Sequence, residues 1–255
     1  MSVKDLSIVI PVFNNWRFTA QCLASVFKGN YSKDKYEIVI VDNCSTDQTN
    51  TFVSYLTECN EPIKYIQLKE NLNYLKGMNI GWKEAKTPFI MMLNNDTILF
   101  ENTIETMMKS LEQNSKLGAI GAIEYLPDGR LSKEKPFGYK LGENPVESTY
   151  LGFEDDFVKK NEDGNTVYVD YMGSACCILK KEVSDKIGFF DEYFAPCMFE
   201  QEDYWMRIKE AGYKIGVDKN AKFIHFVGST TAFDREYYSK IIETNRAKFL
   251  KKWYK

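Results

Sequence analysis

The chain has 255 residues, 44% of them hydrophobic and 15% aromatic, which is enough for one large packed domain and too much for wholesale disorder. Lys plus Arg (33) nearly balances Asp plus Glu (36), so the net charge of -3 gives no reason to expect nucleic acid as a main partner. No apolar run approaches the roughly 18–20 residues that span a bilayer, and the six cysteines include no CxxC or metal-finger spacing, which predicts reduced, mostly buried thiols in a cytoplasmic protein.

In chain order, the opening MSVKDLSIVIPVF is too short in its apolar part for a signal segment and is cut by Pro11. Apolar runs at residues 6–13, 37–42, 63–68 and 89–93 predict strands. Near-continuous stretches such as IVIPV and EIVIVD are what strands buried on both faces require. Helical patterns at residues 16–27, 47–57 and 73–85 lie between them; Ser45-Thr46-Asp47 offers an N-cap to the second, and Thr97 to Glu101 is expected to start a fourth. This alternation predicts an α/β fold, a mostly parallel sheet flanked by helices. Beyond Asn114 the pattern changes. A strand is expected at residues 116–124, then an excursion with little regular structure at 125–167. A strand at 167–179, helices at 181–187 and 200–211, a strand at 221–227 and a helix from Phe233 follow. The end, NRAKFLKKWYK, mixes Phe249, Leu250, Trp253 and Tyr254 with five basic residues. It reads as a packed C-terminal helix, with an interfacial membrane helix as the alternative.

Four places carry chemistry. The run FIMML stops at Asn94-Asn95-Asp96, hard oxygen donors at a strand end, where open α/β sheets bind ligands. The second strand ends in Asp42, whose carboxylate is suited to a pyrimidine N–H or a ribose hydroxyl, while Asp47 reads as a helix cap. Glu200, Glu202 and Asp203 crowd the first turn of a helix, where the macrodipole favours negative charge, and Asp203 stands i,i+4 from Arg207. The chain's one histidine, His225, ends an apolar strand. The first strand-to-helix turn, Pro11-Val12-Phe13-Asn14-Asn15, has no Gly-x-Gly-x-x-Gly and there is no Walker sequence, so a nucleotide must be held differently.

Taken together, SIVIPVFNN, VDNCSTDQT, the stretch from Glu70-Asn71 to Gly77 followed by Asn79, and LNNDT resemble the family 2 glycosyltransferases of GT-A fold, in particular bacterial rhamnosyltransferase-like members. The resemblance covers nearly the whole chain. It implies one domain over residues 1–255, with a nucleotide-sugar half (1–115), an acceptor and catalytic half (116–232) and a C-terminal helix (233–255). It implies an inverting transfer from a UDP- or dTDP-linked sugar to a glycan or lipid-linked acceptor in bacterial surface polysaccharide synthesis, at the cytoplasmic side, with Mn2+ or Mg2+. Pro11, Phe13, Asn14, Asp42, Asn71, Gly77, Asn94 and Asn95 would hold the donor. Gly173 and Ser174 would line the sugar, and Tyr139, Tyr150 and Phe153 are candidates for stacking on an acceptor.

Asp96 would be the principal metal ligand, with His225 beside it and Asn94 departing from the acidic form of the motif. Counting back from Arg207 puts Gln201 where many relatives have an acid, so the catalytic base is divided between Glu202 and Asp203, with Glu200 third. Because Asn94 and Gln201 both replace acids, a sugar-nucleotide-binding protein without transfer activity is the alternative. A nucleotidyltransferase is disfavoured by the first loop.

Overall fold

In the computed structural model the described residues are 4–132, 139–141, 148–150, 155–228 and 235–254. The first half follows the expected order: β1 (Leu6–Val12), α1 (Trp16–Lys28), β2 (Tyr36–Asp42), α2 (Thr49–Glu58), β3 (Ile63–Gln67), α3 (Asn73–Glu84) and β4 (Phe89–Leu93). These strands pair in parallel in the order β3-β2-β1-β4, with Val12 beside Asp42 and Asp42 beside Gln67. Their C-terminal ends therefore share one edge, and the loops that leave it bear Asn14, Asn43 and Asn94.

The second half departs from expectation in instructive ways. Residues 97–101 do not start a helix. Thr97–Leu99 forms β5, and α4 (Thr103–Gln113) begins after it. The three residues are too few to show a period, and what makes them a strand is antiparallel pairing with a partner more than a hundred residues away. β6 (Leu117–Tyr125) appears as expected. The excursion contains β7 (Tyr139–Leu141), β8 (Ser148–Tyr150), α5 (Asp156–Lys160) and β9 (Glu162–Asp163). Phe153 and the side chains of Tyr139 and Tyr150 lie outside the described residues, as do residues 229–234.

The single strand expected at 167–179 is two, β10 (Thr166–Val169) and β11 (Cys176–Lys180), with Gly173 and Ser174 in the connection. After α6 (Lys181–Ile187) and α7 (Glu200–Glu210), β12 (Lys214–His225) starts seven residues before the expected strand. The sequence hides this because the strand carries Asp218, Lys219 and Asn220 at a register shift against β6. α8 (Arg235–Trp253) completes the described chain.

Ten strands form one sheet, continued from β4 through β11, β6, β12 and β10 to β9, with β5 on β12. β11 runs antiparallel to both β4 and β6. Alternation along β1 splits the core in two: Ile8 and Ile10 pack on one face with Leu23 of α1 and Met107 of α4, while Val9 packs on the other with α3 and α7. Gly81 lets α3 approach that second face, since a Cβ there would lie 2.4 Å from Val9 Cγ1.

Trp82 of α3 meets Tyr204 of α7 edge-on at 5.0 Å and Phe190 at 5.4 Å, which ties the two halves together. The C-terminal aromatics are directed inward: Phe249 is 3% exposed, and Trp253 and Tyr254 pack against the core. Among the described residues no helix is long and apolar enough to cross a membrane. Cys22, Cys176 and Cys177 are buried free thiols, whereas Cys59 is exposed.

Candidate active site

Among the described residues, seven non-glycine residues have positive φ; Asn14 and Asn15 follow β1, Cys44 follows β2, Asn73 opens α3 after β3, and Met198 and Phe199 lead into α7. Strained backbone held by its surroundings is a mark of a working site. Asn14 acts as the buckle of the first two loops. Its N–H donates to Ser45 Oγ at 2.8 Å and its Oδ1 accepts from Thr46 N at 2.8 Å. Pro11 is buried beneath it and Phe13 is 37% exposed at the rim. The N-cap of α2 is Gln48, not Asp47; Asp47, one residue earlier, accepts from Thr49 N in an Asx turn and also from Trp16 N.

Asp42 is fully buried, and both of its oxygens are taken. Oδ1 accepts from Ser45 N at 2.8 Å and Oδ2 from the Tyr65 hydroxyl at 2.6 Å. The neighbouring Asn43, which sequence reasoning passed over, is 3% exposed with an Oδ1 that has no partner. Gly77 is what makes room for it, because a Cβ there would stand 2.7 Å from Asn43 Nδ2. Asn71 is exposed and accepts from Asn73 N, an Asx turn at the start of α3. Asn79 clamps both backbone groups of Phe190.

Beyond β4 the three polar residues part company. Asn95 turns away from the edge and donates to Thr19 Oγ1 of α1 at 3.0 Å. Asn94 keeps a buried Oδ1 without a partner, while its N–H donates to Ala175 O. Asp96, 4% exposed, meets His225 across the β5–β12 ladder: His225 Nε2 lies 3.2 Å from Asp96 Oδ1, and Phe226 N donates to Asp96 O. His225 Nδ1 lies 3.0 Å from Oε1 of Glu124, a residue at the end of β6 that sequence reasoning also missed. Burial pulls the His225 pKa down, but the Asp96 and Glu124 carboxylates outweigh it and push it up to about 9.

A second corner lies where the 173–175 turn meets α7. Gly173 is exposed with open space around it, and Ser174 is buried. Gln201 joins them to the helix, its Oε1 accepting from Tyr171 OH at 3.1 Å and from Ser174 N at 3.2 Å. Tyr74 OH stands 3.4 Å from Ser174 Oγ. Burial above all, against the opposing Ser174 hydrogen bond, holds that phenol far above its ordinary pKa, and the fields of Glu200, Cys177 and Asp96 add to it.

The acidic trio is not uniform. Asp203 is enclosed: Oδ2 accepts from Arg207 Nε at 2.8 Å, and Oδ1 takes Trp253 Nε1 at 2.9 Å and Lys252 Nζ at 2.6 Å. Glu202 is half-buried. Glu200 is 2% exposed with an unpartnered Oε2, and desolvation raises its pKa to about 8. Asn245 of α8, 1% exposed, holds the loop that enters this helix by donating to the carbonyls of Phe194, Cys197 and Met198. A cleft of about 820 Å³ lies on the flank of the Asn14 buckle, lined by Trp16, Arg17, Asp47 and their neighbours, away from both corners.

The Glycosyl transferase family 2 model matches residues 7–188. The chain is 32% identical over 124 residues to the dolichyl N-acetyl-alpha-D-glucosaminyl phosphate 3-beta-D-2,3-diacetamido-2,3-dideoxy-beta-D-glucuronosyltransferase of Methanococcus voltae, covering 46% of this chain and 38% of that protein. It is 28% identical over 114 residues to the poly(ribitol-phosphate) beta-N-acetylglucosaminyltransferase TarS of Staphylococcus aureus, covering 44% of this chain and 20% of that one. The matches thus take in well under half of these relatives' length.

In fold it is similar to GalNAc-T7, solved with UDP, GalNAc and Mn2+, at a TM-score of 0.76 and 14% identity over 97% of this chain and 50% of the other. The sheet order, the helices on both faces and these neighbours make the fold GT-A. With a match that takes in most of the chain, the protein belongs to glycosyl transferase family 2.

Proposed function

We propose that the protein transfers a sugar, with inversion, from a UDP- or dTDP-linked donor to a hydroxyl of a glycan or lipid-linked acceptor in surface polysaccharide synthesis. The observation that carries this is the meeting of Asp96 and His225, from distant parts of the chain, at the sheet edge where Asn43 and Asn94 keep buried oxygens unpaired. The donor set suits a divalent cation such as Mn2+ or Mg2+, with an acidic oxygen and an imidazole nitrogen side by side and an orphaned carbonyl close by in sequence. Among the described residues no cluster of three or more His, Cys, Asp and Glu side chains forms a site alone. Asp96 and His225 would therefore hold the ion together with oxygens of the donor diphosphate. A bound cation would neutralise the charge that gathers on the leaving diphosphate.

The protein groups then have distinct tasks. Phe13 offers a ring face to the base, and the Asn14 buckle fixes the loop that carries it. Asn43, rather than the fully engaged Asp42, meets the edge of the base. Asn71 and Gly77 shape the loop and helix beside it, and Ser174 with Gly173 borders the sugar. Asn95 supports the turn from behind.

For the base we assign Glu200 in preference to Glu202 and Asp203. Asp203 has both oxygens occupied by cations or donors, whereas Glu200 keeps a free oxygen and a pKa of about 8, close to working pH. We infer one domain with its donor half at 1–115, acceptor and catalytic half at 116–232 and C-terminal helix at 233–255, acting at the cytoplasmic side of the membrane.

A panel of UDP-GlcNAc, dTDP-rhamnose and related donors with Mn2+ tests the reading. The relatives named above argue for N-acetylated sugars, and the sequence likeness argues for rhamnose. Turnover that needs metal and disappears in Asp96→Ala supports transfer. Tight donor binding with no turnover on any acceptor would favour the second reading, a sugar-nucleotide-binding protein, for which the Gln201 amide in place of an acid is the supporting observation. Glu200→Gln should lower turnover by about 10²–10⁴-fold while sparing donor affinity; an equal loss in Glu202→Gln alone would reassign the base.

A further inference from the structure

We propose that Glu124 is the positioning residue of the cation corner, holding the His225 ring so that Nε2, not Nδ1, is the nitrogen offered to a divalent ion; this rests on the metal reading above. The two carboxylates touch opposite edges of one imidazole, with Glu124 Oε1 at 3.0 Å from Nδ1 and Asp96 Oδ1 at 3.2 Å from Nε2. An ionised carboxylate can only accept, so with both in place each ring nitrogen carries a proton; once a cation takes the Nε2 position, Glu124 retains the Nδ1 proton and the lone pair is left on Nε2, the side that faces Asp96.

The backbone fixes the same geometry. β6 and β12 pair in parallel with Glu124 beside Phe223, β5 and β12 pair with Thr97 beside His225, and Phe226 N ties to Asp96 O. The ring is 12% exposed and the Glu124 side chain 25%, so the pair is set into the edge of the sheet and is not a surface contact. Because Glu124 grips the far edge of the ring, it cannot bind the same ion as Asp96 without the imidazole turning over. A carboxylate in this outer place both orients a ligand histidine and raises its basicity. Glu124 closes an apolar strand with an acid, much as Asp96 follows one, which is the signal the sequence offered.

The test uses Mn2+ titrated in the presence of UDP, with free Mn2+ read by electron paramagnetic resonance. Glu124→Ala should weaken Mn2+ binding by about 10–100-fold, while Glu124→Gln, whose amide oxygen still accepts the Nδ1 proton, should stay within about threefold of wild type. His225 is the chain's single histidine, so long-range ¹⁵N spectra of the Mg2+- and UDP-loaded protein report its tautomer without assignment. Nδ1–H is expected in wild type and in Glu124→Gln.

Unchanged Mn2+ affinity in Glu124→Ala, a loss in Glu124→Gln as large as in the alanine variant, or an Nε2–H tautomer in wild type would each overturn the assignment. If Glu124→Ala does not fold, the glutamine variant and the tautomer decide. Asp96→Ala separates the two levels. If it binds Mn2+ as wild type does, the metal reading itself has failed; if it loses Mn2+ while Glu124→Ala does not, only the positioning role has.

Discussion

Replacing Glu200 by Gln removes one titration and changes little else in shape, so it isolates the cost of enclosing that carboxyl. In the folded protein burial lifts its pKa from 4.5 to about 8. Between those values the native state keeps a proton that the unfolded chain has released, so stability falls as pH rises through this window. At about 1.36 kcal/mol per pH unit the interval sets a span of about 3–5 kcal/mol. Wild type and Glu200→Gln should be close in stability near pH 5, and wild type should be the weaker by that span at pH 9. Urea unfolding of both proteins in chelator, at one-unit steps from pH 5 to 9, measures it. His225, raised to about 9, adds a loss of the same sign between about 6.5 and 9, but it does so in both proteins and cancels in the difference. A gap between the two that stays constant within about 0.5 kcal/mol over this range would refute the reasoning.

Gly77→Ala should force the Asn43 carboxamide out of its seat, because the new methyl would lie 2.7 Å from Nδ2; calorimetry should find UDP or dTDP binding weakened about tenfold, a loss of about 1.4 kcal/mol, with the thermal midpoint only slightly lowered. Gly81→Ala drives a methyl to 2.4 Å from Val9 Cγ1, between a helix and a strand that cannot part, and should cost about 1–3 kcal/mol in denaturant unfolding. Unchanged stability there would mean that α3 sits more loosely than described. Asn245→Ala strips three carbonyls of their donor at a buried loop and should cost about 1–3 kcal/mol, measured the same way. Asp203→Asn should lower stability rather than abolish turnover, since its carboxylate is matched to Arg207, Lys252 and Trp253; a complete loss of turnover with intact stability would return it to the base role.

Much of the fold was legible because the first half obeys local rules. Periodicity delimits β1 to β4 and their helices to within two residues, and it delivers Asp96 to a strand end. The failures share a physical origin in contacts distant along the chain. Nothing near Thr97 announces that β12 will pair with it, and the polar bulge at Asp218 to Asn220 masks the length of β12 itself. Asp42 and Asn43 are adjacent polar residues, and only the hydroxyl of Tyr65 from the next strand decides which has a free oxygen. Similarly, the i,i+4 partner Arg207 was visible for Asp203, whereas Lys252 and Trp253 were not. Gln201 was noticed as a missing acid; its role in joining Ser174 and Tyr171 to α7 emerges only when the turn and the helix are brought together.

The clamp on Asp203 also sets an order of assembly. Arg207 already holds Oδ2 from within α7, but Oδ1 gains its partners only when Lys252 and Trp253, fifty positions further on, arrive. At about 5–20 residues per second of synthesis, the acid-bearing helix waits roughly 3–10 s for its partners, while β1 to β4 are already free to pair. The parallel β1–β4 part of the molecule is thus built early, and the α7–α8 contact is closed last. In a series of ribosome-stalled chains, protease protection of α7 should appear only once α8 is present; protection before residue 245 would contradict this order.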